Sequence, residues 1–134
     1  MNIFNENVFI NLNTKEYYTF TNEQVIEKIS NLILQTYFTN KNQINIKFYL
    51  IDGIYSNRNT YTQNNGFTIK NLIDIILDYY HSKLKFDEIE NLKKTCLYSK
   101  NFDFINNYRI DTMINTYFDC ITKKNDTYYI NLGS

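Results

Sequence analysis

The side chains best suited to chemistry lie together on one predicted helix. Asp74, Asp78 and His81 follow one another at helical spacing, which places them on one side of that helix. Carboxylates and an imidazole on a common face can bind a divalent metal ion. Lys83 and Lys85 come directly after them, and such a mixture of charges is typical of a solvated helix face. We therefore interpret the group as surface charge and predict no metal site.

Patterns that are typical of enzymes do not stand out elsewhere. His81 is the only histidine, and no serine or cysteine nucleophile lies in a recognisable turn. Three scattered glycines cannot form the glycine-rich loop that holds phosphates. The run FDEIENLKK contains acids and lysines, but their helical spacing differs from that of a nuclease metal centre. We expect no cofactor and assign no catalytic residue, so a binding role is favoured over an enzymatic one.

Cysteine usage and hydropathy predict a cytoplasmic protein. Cys96 and Cys120 are the only two cysteines, fall in segments predicted as helices, and have neither a CxxC partner nor a nearby histidine. We expect free thiols in a reducing cytosol, with a disulfide between them as the alternative. The N-terminus lacks a signal-peptide pattern, and the apolar runs are too short to span a membrane.

Composition indicates one folded domain, residues 1–134, from an AT-rich genome. Hydrophobic residues make up 43% of the 134-residue chain, which suffices for a substantial core. Proline, alanine and tryptophan are absent, while tyrosine, asparagine, isoleucine and lysine abound, as AT-rich codons would produce. Basic and acidic residues number 14 each. This balance argues against a nucleic-acid binder, which usually carries a basic surplus, and against a DNA mimic.

The N-terminal third of the chain predicts two strands followed by a helix. Val8–Leu12 and Glu16–Phe20 show the alternation of strands. Thr21 and Gln24 then form a capping box. Apolar residues recur at helical spacing from Val25 to Phe38, which predicts the first helix.

A second strand pair is predicted around a tight turn. Residues 44–51 alternate as a strand, and Asp52-Gly53 is a strong signal for a two-residue hairpin turn. Across such a turn Leu50 would face Tyr55. We expect the pairing to weaken near Asn57 and to leave Arg58–Asn65 as a polar tip.

Three more helices and a closing strand complete the prediction. Thr68 caps a second helix that runs to Leu84, and a third helix covers residues 87–97. Apolar residues from Ile110 to Ile121 fit a fourth helix, and Tyr128–Leu132 alternates as a strand. The order ββαββαααβ predicts an α+β fold with an antiparallel or mixed sheet of four to five strands and about four helices.

The remaining functional signal is aromatic. Thirteen tyrosines exceed what a core of this size can satisfy, so several must be exposed, although codon bias alone is the alternative explanation. In Tyr17-Tyr18 and Tyr128-Tyr129, strand alternation turns one tyrosine of each pair outward. The segment Ser56–Gly66 is rich in amides and hydroxyls and carries an arginine, a composition typical of adaptable binding surfaces. The predicted binding residues are Arg58, Tyr61, Tyr55, Asn59 and Arg109.

These features favour a non-catalytic binding protein that occludes a host macromolecule, most simply a host protein or protein complex. AT-rich composition and small size are typical of phage and mobile-element genes, many of which block a host defence, as anti-CRISPR proteins do. The alternative is a small nucleotide- or nucleic-acid-binding protein or enzyme in which arginines hold phosphates and tyrosines stack on bases. A nucleic-acid partner is the less favoured of the two, and no membrane partner is expected.

Overall fold

The computed structural model describes residues 8–20, 26–51, 53–95, 108–112 and 117–133. Within them the fold is α+β, as predicted, with strands grouped in three sheets. The strands are β1 (Val8–Ile10), β2 (Tyr17–Phe20), β3 (Ile26–Lys28), β4 (Tyr37–Thr39), β5 (Gln43–Ile51), β6 (Ile54–Tyr55), β7 (Asn59–Thr62), β8 (Phe67–Thr68), β9 (Tyr117–Lys124) and β10 (Thr127–Gly133). The helices are α1 (Asn31–Leu34), α2 (Ile69–Tyr80), α3 (Phe86–Thr95) and a 3₁₀ turn (Arg109–Thr112).

The largest sheet is mixed and has five strands, within the predicted range. Its path is β6-β5-β10-β9, and β7 pairs with the first half of β5 beside β6. The closing strand β10 lies parallel to β5 and antiparallel to β9, so residues far apart in sequence meet at the sheet centre. Strands β1, β2 and β3 form a second sheet, and β4 pairs with β8.

The core forms where α2 packs on one face of the five-stranded sheet. On β5 the side chains of Ile46 and Phe48 are fully buried, as strand alternation predicts. The Phe48 ring stacks on Tyr79 of α2 with ring centroids 3.7 Å apart. Thr68 caps α2, as predicted; its side chain accepts a hydrogen bond from the Asn71 amide, and Asn71 completes a capping box. α2 ends at Tyr80, earlier than the predicted Leu84.

The predicted first helix is wrong. The segment from Ile26 to Thr39 folds as β3, the one-turn α1 and β4. Two members of the predicted apolar stripe lie on the surface, because Leu32 is 81% exposed and Tyr37 is 56% exposed. Pairing of β3 with β2, and of β4 with β8, outweighs the local helical spacing. Thr21–Val25, with the predicted capping box, lies outside the described residues.

The predicted fourth helix is also wrong. After the 3₁₀ turn at Arg109–Thr112, the second half of that segment forms β9, so Cys120 lies on a strand. A β-bulge explains the misleading spacing. Cys120 pairs with Asn131 and Phe118 with Leu132, which leaves Asp119 as an extra residue. The bulge turns Phe118 and Ile121 to the same buried face, three residues apart as in a helix. Cys96 and residues 101–107 lie outside the described residues.

The polar segment Ser56–Gly66 contains the strand β7 at Asn59–Thr62 and is not a free tip. β6 pairs with β5, and Gly53 has the positive φ of a tight turn, +76°; its neighbour Asp52 lies outside the described residues. A register shift places Tyr55 opposite Tyr49 rather than opposite the predicted Leu50. Pairing is interrupted near Asn57, as predicted. It then resumes, because β7 pairs along the N-terminal half of β5, which corrects the prediction of a tip at Arg58–Asn65.

Candidate functional site

The face of the five-stranded sheet opposite α2 is lined by tyrosines and amides. Because β5 and β10 are paired in register, Lys47 lies beside Tyr129 on this side, while Ile46 and Tyr128 point to the other. We call the partly buried side chains of this side the open face. It comprises Asn45, Lys47, Tyr49, Tyr55, Cys120, Tyr129 and Asn131.

Three tyrosine rings form a continuous row across the open face. The ring centroids of Tyr49 and Tyr55 are 5.6 Å apart with an interplanar angle of 85°. Those of Tyr55 and Tyr129 are 5.3 Å apart at 86°. The Nζ atom of Lys47 lies 5.9 Å from the Tyr129 ring centroid, within reach of a cation–π interaction. Edge-to-face contacts of this kind fix the rings relative to one another without burying them fully.

Hydrogen bonds hold the middle of the row. The Tyr55 hydroxyl donates to Asn131 Oδ1, and Asn131 Nδ2 donates to Thr122 Oγ1 at 3.2 Å and to the Cys120 carbonyl at 3.4 Å. Partial burial, with smaller contributions from neighbouring Tyr49 and Cys120, raises the pKa of Tyr55. Its phenol therefore stays protonated and keeps this hydrogen bond well into the alkaline range. The row is organised before any partner binds.

A shallow basic cleft adjoins the Tyr129 end of the row. It has a volume of about 300 Å³. Its lining residues are Lys47, Asn57, Arg58, Lys124, Asn125, Asp126, Thr127 and Tyr129. We call this group the basic cleft, because three cations face a single carboxylate. The turn between β9 and β10, where Asn125 has a positive φ of 57°, places Lys124 and Asp126 at its rim.

Arg58 remains available inside the basic cleft. Its Nη1 atom lies 3.6 Å from Asp126 Oδ2, and the two side chains are 54% and 70% exposed. An ion pair this exposed contributes about 0–1 kcal/mol, so a ligand can displace the carboxylate at small cost.

Arg109, by contrast, belongs to a buried ion pair. The side chains of Arg109 and Glu88 are only 3% and 5% exposed. Arg109 Nε donates to Glu88 Oε2 at 2.9 Å, Nη2 donates to Oε1, and Nη1 donates to the Tyr79 carbonyl at 3.0 Å. The guanidinium also lies 4.0 Å from the Tyr79 ring centroid. This arrangement stabilises the packing of α2 against α3 and the 3₁₀ turn.

The electrostatics of Glu88 agree with a permanent ion pair. Burial by itself would raise the pKa of Glu88, but hydrogen bonds from Arg109, Tyr79 and the Lys85 amide lower it overall. For Arg109, burial opposes the charged form, yet the contact with Glu88 raises its pKa. Burial also raises the pKa of Tyr79, which donates to Glu88 Oε2 at 2.6 Å. Both charged groups therefore stay ionised across the physiological pH range.

A second, smaller cleft of about 160 Å³ lies where the β6–β7 connection meets the start of α3. Asn57 Nδ2 donates to Asp87 Oδ2 at 2.7 Å across it. Glu88 and Arg109 lie in its wall, where their hydrogen bonds to each other occupy their polar atoms. This contact positions the backbone that carries Arg58 at the edge of the basic cleft.

The structure separates the five predicted binding residues. Arg58 lies in the basic cleft and Tyr55 on the open face, where both are near Tyr129. Asn59 supports the local backbone, because its Nδ2 atom donates to the Asn57 carbonyl at 3.0 Å. Tyr61 points to the core side of β7, where burial raises its pKa to about 12. Arg109 is buried in its ion pair.

Other members of this surface were not assigned from the sequence. Lys47 and Tyr49 alternate with the buried side chains of β5, and Tyr129 was only noted as one of a tyrosine pair. Strand alternation was the available signal, but it does not reveal which strands are neighbours. The approach of Lys124 to Arg58 depends on the parallel pairing of β5 with β10.

Two members of the predicted helix-face group contact other residues of the chain. Asp74 pairs with Lys70 one turn earlier in α2. A ring nitrogen of His81, Nε2, lies 2.6 Å from the Leu12 carbonyl oxygen. Among the residues that the structure describes, no cluster of histidine, cysteine and carboxylate groups has a metal-binding arrangement. Cys120 is a free thiol on β9, and its pKa is raised by burial and by neighbouring Asp119.

Comparisons with protein-family models, with curated proteins and with solved structures find no match to this chain. In the part of the chain that the structure describes, no helix is both long enough and apolar enough to cross a membrane. The geometry of the open face and the basic cleft therefore carries the functional argument.

Proposed function

We propose that this protein is a non-catalytic binding protein whose open face occludes a host macromolecule. The observation that carries the proposal is the row formed by Tyr49, Tyr55 and Tyr129, which is ordered by edge-to-face contacts and remains partly exposed. Tyrosine offers a large contact area with few rotatable bonds, and rings that are already ordered lose little entropy when a partner binds.

The chemistry of the buried ionisable groups supports binding rather than catalysis. Glu88 accepts from two nitrogens of Arg109, from the Tyr79 hydroxyl and from the Lys85 amide, so its lone pairs are already occupied. A general base needs a free lone pair within reach of a substrate. The AT-rich composition is the support for a phage or mobile-element origin and hence for action in the cytoplasm of a host.

A matched set of variants tests the proposal. Tyr49→Ala combined with Tyr129→Ala removes both ends of the tyrosine row, and Tyr37→Ala removes an exposed tyrosine on β4 as the control. Each tagged protein is exposed to host lysate, and the host activity blocked by the parent is measured with purified components. We expect the double variant to lose capture and inhibition together, with at least a tenfold weaker affinity, while the control keeps both.

One result of the same experiment would contradict the proposal. If the double variant folds and inhibits as strongly as Tyr37→Ala, the open face is not the binding surface. Tyr61 is left unchanged in this set, because it packs against the core and its loss would disturb β7.

A second candidate function, the binding of nucleotides or nucleic acid, is favoured by one specific observation. The basic cleft gathers Lys47, Arg58 and Lys124 around a single carboxylate, that of Asp126, although the chain as a whole is neutral. Of the two arginines that this function would use to hold phosphates, only Arg58 lies in the cleft, since Arg109 is held in the buried ion pair.

A further inference from the structure

The basic cleft and the tyrosine row form one continuous surface. Tyr129 belongs to both, because it lines the cleft and packs against Tyr55. Lys47 joins them in the same way, lying in the cleft and close to the Tyr129 ring. Positive charge is thus concentrated at one end of a stretch of aromatic rings. The contact between the basic cleft and the tyrosine row therefore indicates more about the partner than either the cleft or the row alone.

We propose that this surface binds single-stranded nucleic acid, with phosphates in the basic cleft and bases on the tyrosine row. The proposal deepens the proposed function, on which it rests, by naming the chemical class of the partner. Lys47, Arg58 and Lys124 supply the cations, and the rings of Tyr129, Tyr55 and Tyr49 supply successive apolar surfaces. A positively charged groove beside stacking rings is how proteins bind single strands with little sequence preference.

Charge complementarity favours this partner over a protein. The cleft has three cations and one exposed carboxylate, which forms a weak ion pair with Arg58 and accepts a hydrogen bond from the Thr127 hydroxyl at 3.0 Å. A phosphate can replace Asp126 at the guanidinium and gain a bidentate contact, which is the geometry that arginine supplies best. The exposed amide group of Asn125 offers a further hydrogen bond in the same cleft.

The rings favour a single strand over a duplex. Bases in a duplex are stacked on one another, so their faces are not available to protein side chains. On the open face two of the three tyrosines have a polar side chain beside them, Asn131 at Tyr55 and Lys47 at Tyr129, and Lys47 can bind the edge of an unstacked base. Binding domains that use a sheet surface in this way stack two or three bases, which suits a row of three rings.

Zero net charge, which argued against a nucleic-acid partner from the sequence, does not oppose this site. The buried charges of Glu88 and Arg109 cancel each other in the core. The field at a surface depends on where the other charges lie, not on their sum, and it extends only about 10 Å at moderate salt.

Fluorescence anisotropy with labelled oligothymidylate of about 12 nucleotides tests the proposal, with a duplex of equal length as comparison. We expect the purified protein to bind the single strand with the higher affinity. Binding should weaken with salt, with a slope of log K against log salt of about −2 if all three cations contact phosphates. Lys124→Ala should reduce the magnitude of that slope by about 0.7, whereas Lys94→Ala, on the exposed side of α3, should leave it unchanged.

The tyrosine row is tested separately from the charges. Tyr129→Ala should weaken binding by about 5- to 150-fold without altering the salt slope, because stacking releases no counterions. Tyr37→Ala should bind as the parent does, and thermal melts establish that each variant is folded. Equal affinity for the single strand and the duplex would overturn the proposal. So would variants of Lys124 and Tyr129 that bind as tightly as their controls.

The outcome also distinguishes this inference from the broader proposal. Suppose that the parent does not bind the oligonucleotide, but captures a host protein from nuclease-treated lysate through Tyr49 and Tyr129. That result overturns the nucleic-acid inference and leaves the open face as a protein-binding surface. If the parent binds the oligonucleotide and the variants of Tyr49 and Tyr129 lose that binding, the result supports both the inference and the open face as the binding surface.

Discussion

Removing one partner of the buried ion pair should cause a large loss of stability. The changes to make are Arg109→Met and Glu88→Leu, first singly and then together. Each single change leaves one charge or its hydrogen-bonding groups without a partner in a site where both side chains are no more than 5% exposed. Water cannot replace the lost contact without opening the packing between α2 and α3.

The contacts set the magnitude. Arg109→Met removes hydrogen bonds to Glu88 Oε1 and Oε2 and to the Tyr79 carbonyl, and it leaves a buried carboxylate. Breaking a buried pair in this way typically costs about 3–5 kcal/mol. Since a domain is stable by about 5–15 kcal/mol, each single variant should lose a large share of its stability. In the double variant neither charge remains, so the loss should be smaller than the sum by about 2–3 kcal/mol.

Urea unfolding followed by far-ultraviolet circular dichroism measures these free energies. Lys70→Ala is the matched control, because Lys70 and Asp74 form an exposed ion pair between residues one helical turn apart. Loss of this pair should lower the free energy of unfolding by less than about 0.5 kcal/mol. Costs below about 1 kcal/mol for both single variants, or strictly additive costs, would refute the reasoning, because the pair could not then be buried and coupled.

The pH dependence of the same unfolding experiment follows from Glu88. Its pKa is lowered in the folded state, so its contribution is fully present above the unfolded value of about 4.3. That contribution is lost as pH falls through the folded pKa, where protonation removes the charge that Arg109 binds. The stability difference between the parent and Glu88→Gln should therefore be full at neutral pH and shrink below about pH 4.

Two further predictions concern the backbone and the phenols. Gly66→Ala should lower the free energy of unfolding by about 2–5 kcal/mol, because φ is +87° and a Cβ atom would lie 2.5 Å from the Thr39 carbonyl oxygen. Gly53→Ala, at φ +76° with open space around it, should lower it by only about 1–2 kcal/mol. Equal melting temperatures of the two variants would contradict this prediction. In an alkaline titration followed by tyrosinate absorbance, Tyr61 should ionise near its raised pKa of about 12, and Tyr61→Phe should remove this step. The contribution of Tyr61 to stability should be lost as pH rises from about 10 to that value. A titration in which all phenols ionise near pH 10 would contradict the burial of Tyr61.

Local patterns predicted the elements whose burial follows one simple period. β5 alternates along its length, and α2 has both a capping box and an apolar stripe, so both were found close to their observed bounds. The same reasoning failed at β9, since the bulge at Asp119 gives two buried side chains a helical spacing. It failed at Ile26–Thr39 because strand pairing with β2 and β8 decided the outcome there. Neither the bulge nor the strand pairing can be recognised from the residues of one segment alone.

The candidate site was less predictable than the fold, because its members come from separate strands. The sequence identified tyrosines and Arg58 as suitable residue types, but not their neighbours. The contact between Tyr55 and Tyr129 requires a register shift in one strand pair and a parallel pairing in another. Arg109 was interpreted as a binding arginine because nothing local connects it with Glu88, which lies 21 residues earlier in the chain.

Core and site are two sides of the same strands, and this couples binding to folding. On β5 and β10 the residues that fill the core, such as Phe48 and Ile130, alternate with those of the open face, such as Lys47 and Tyr129. A slip of one residue would exchange the two sets, so burial of the apolar set fixes the position of the polar one. The hydroxyl of Tyr80, fully buried in α2, donates to the Tyr49 carbonyl at 2.7 Å and fixes β5 directly beneath the tyrosine row. The stability of the core therefore determines how rigidly the row is held, and a rigid row is what lets three tyrosines bind a partner at a small entropic cost.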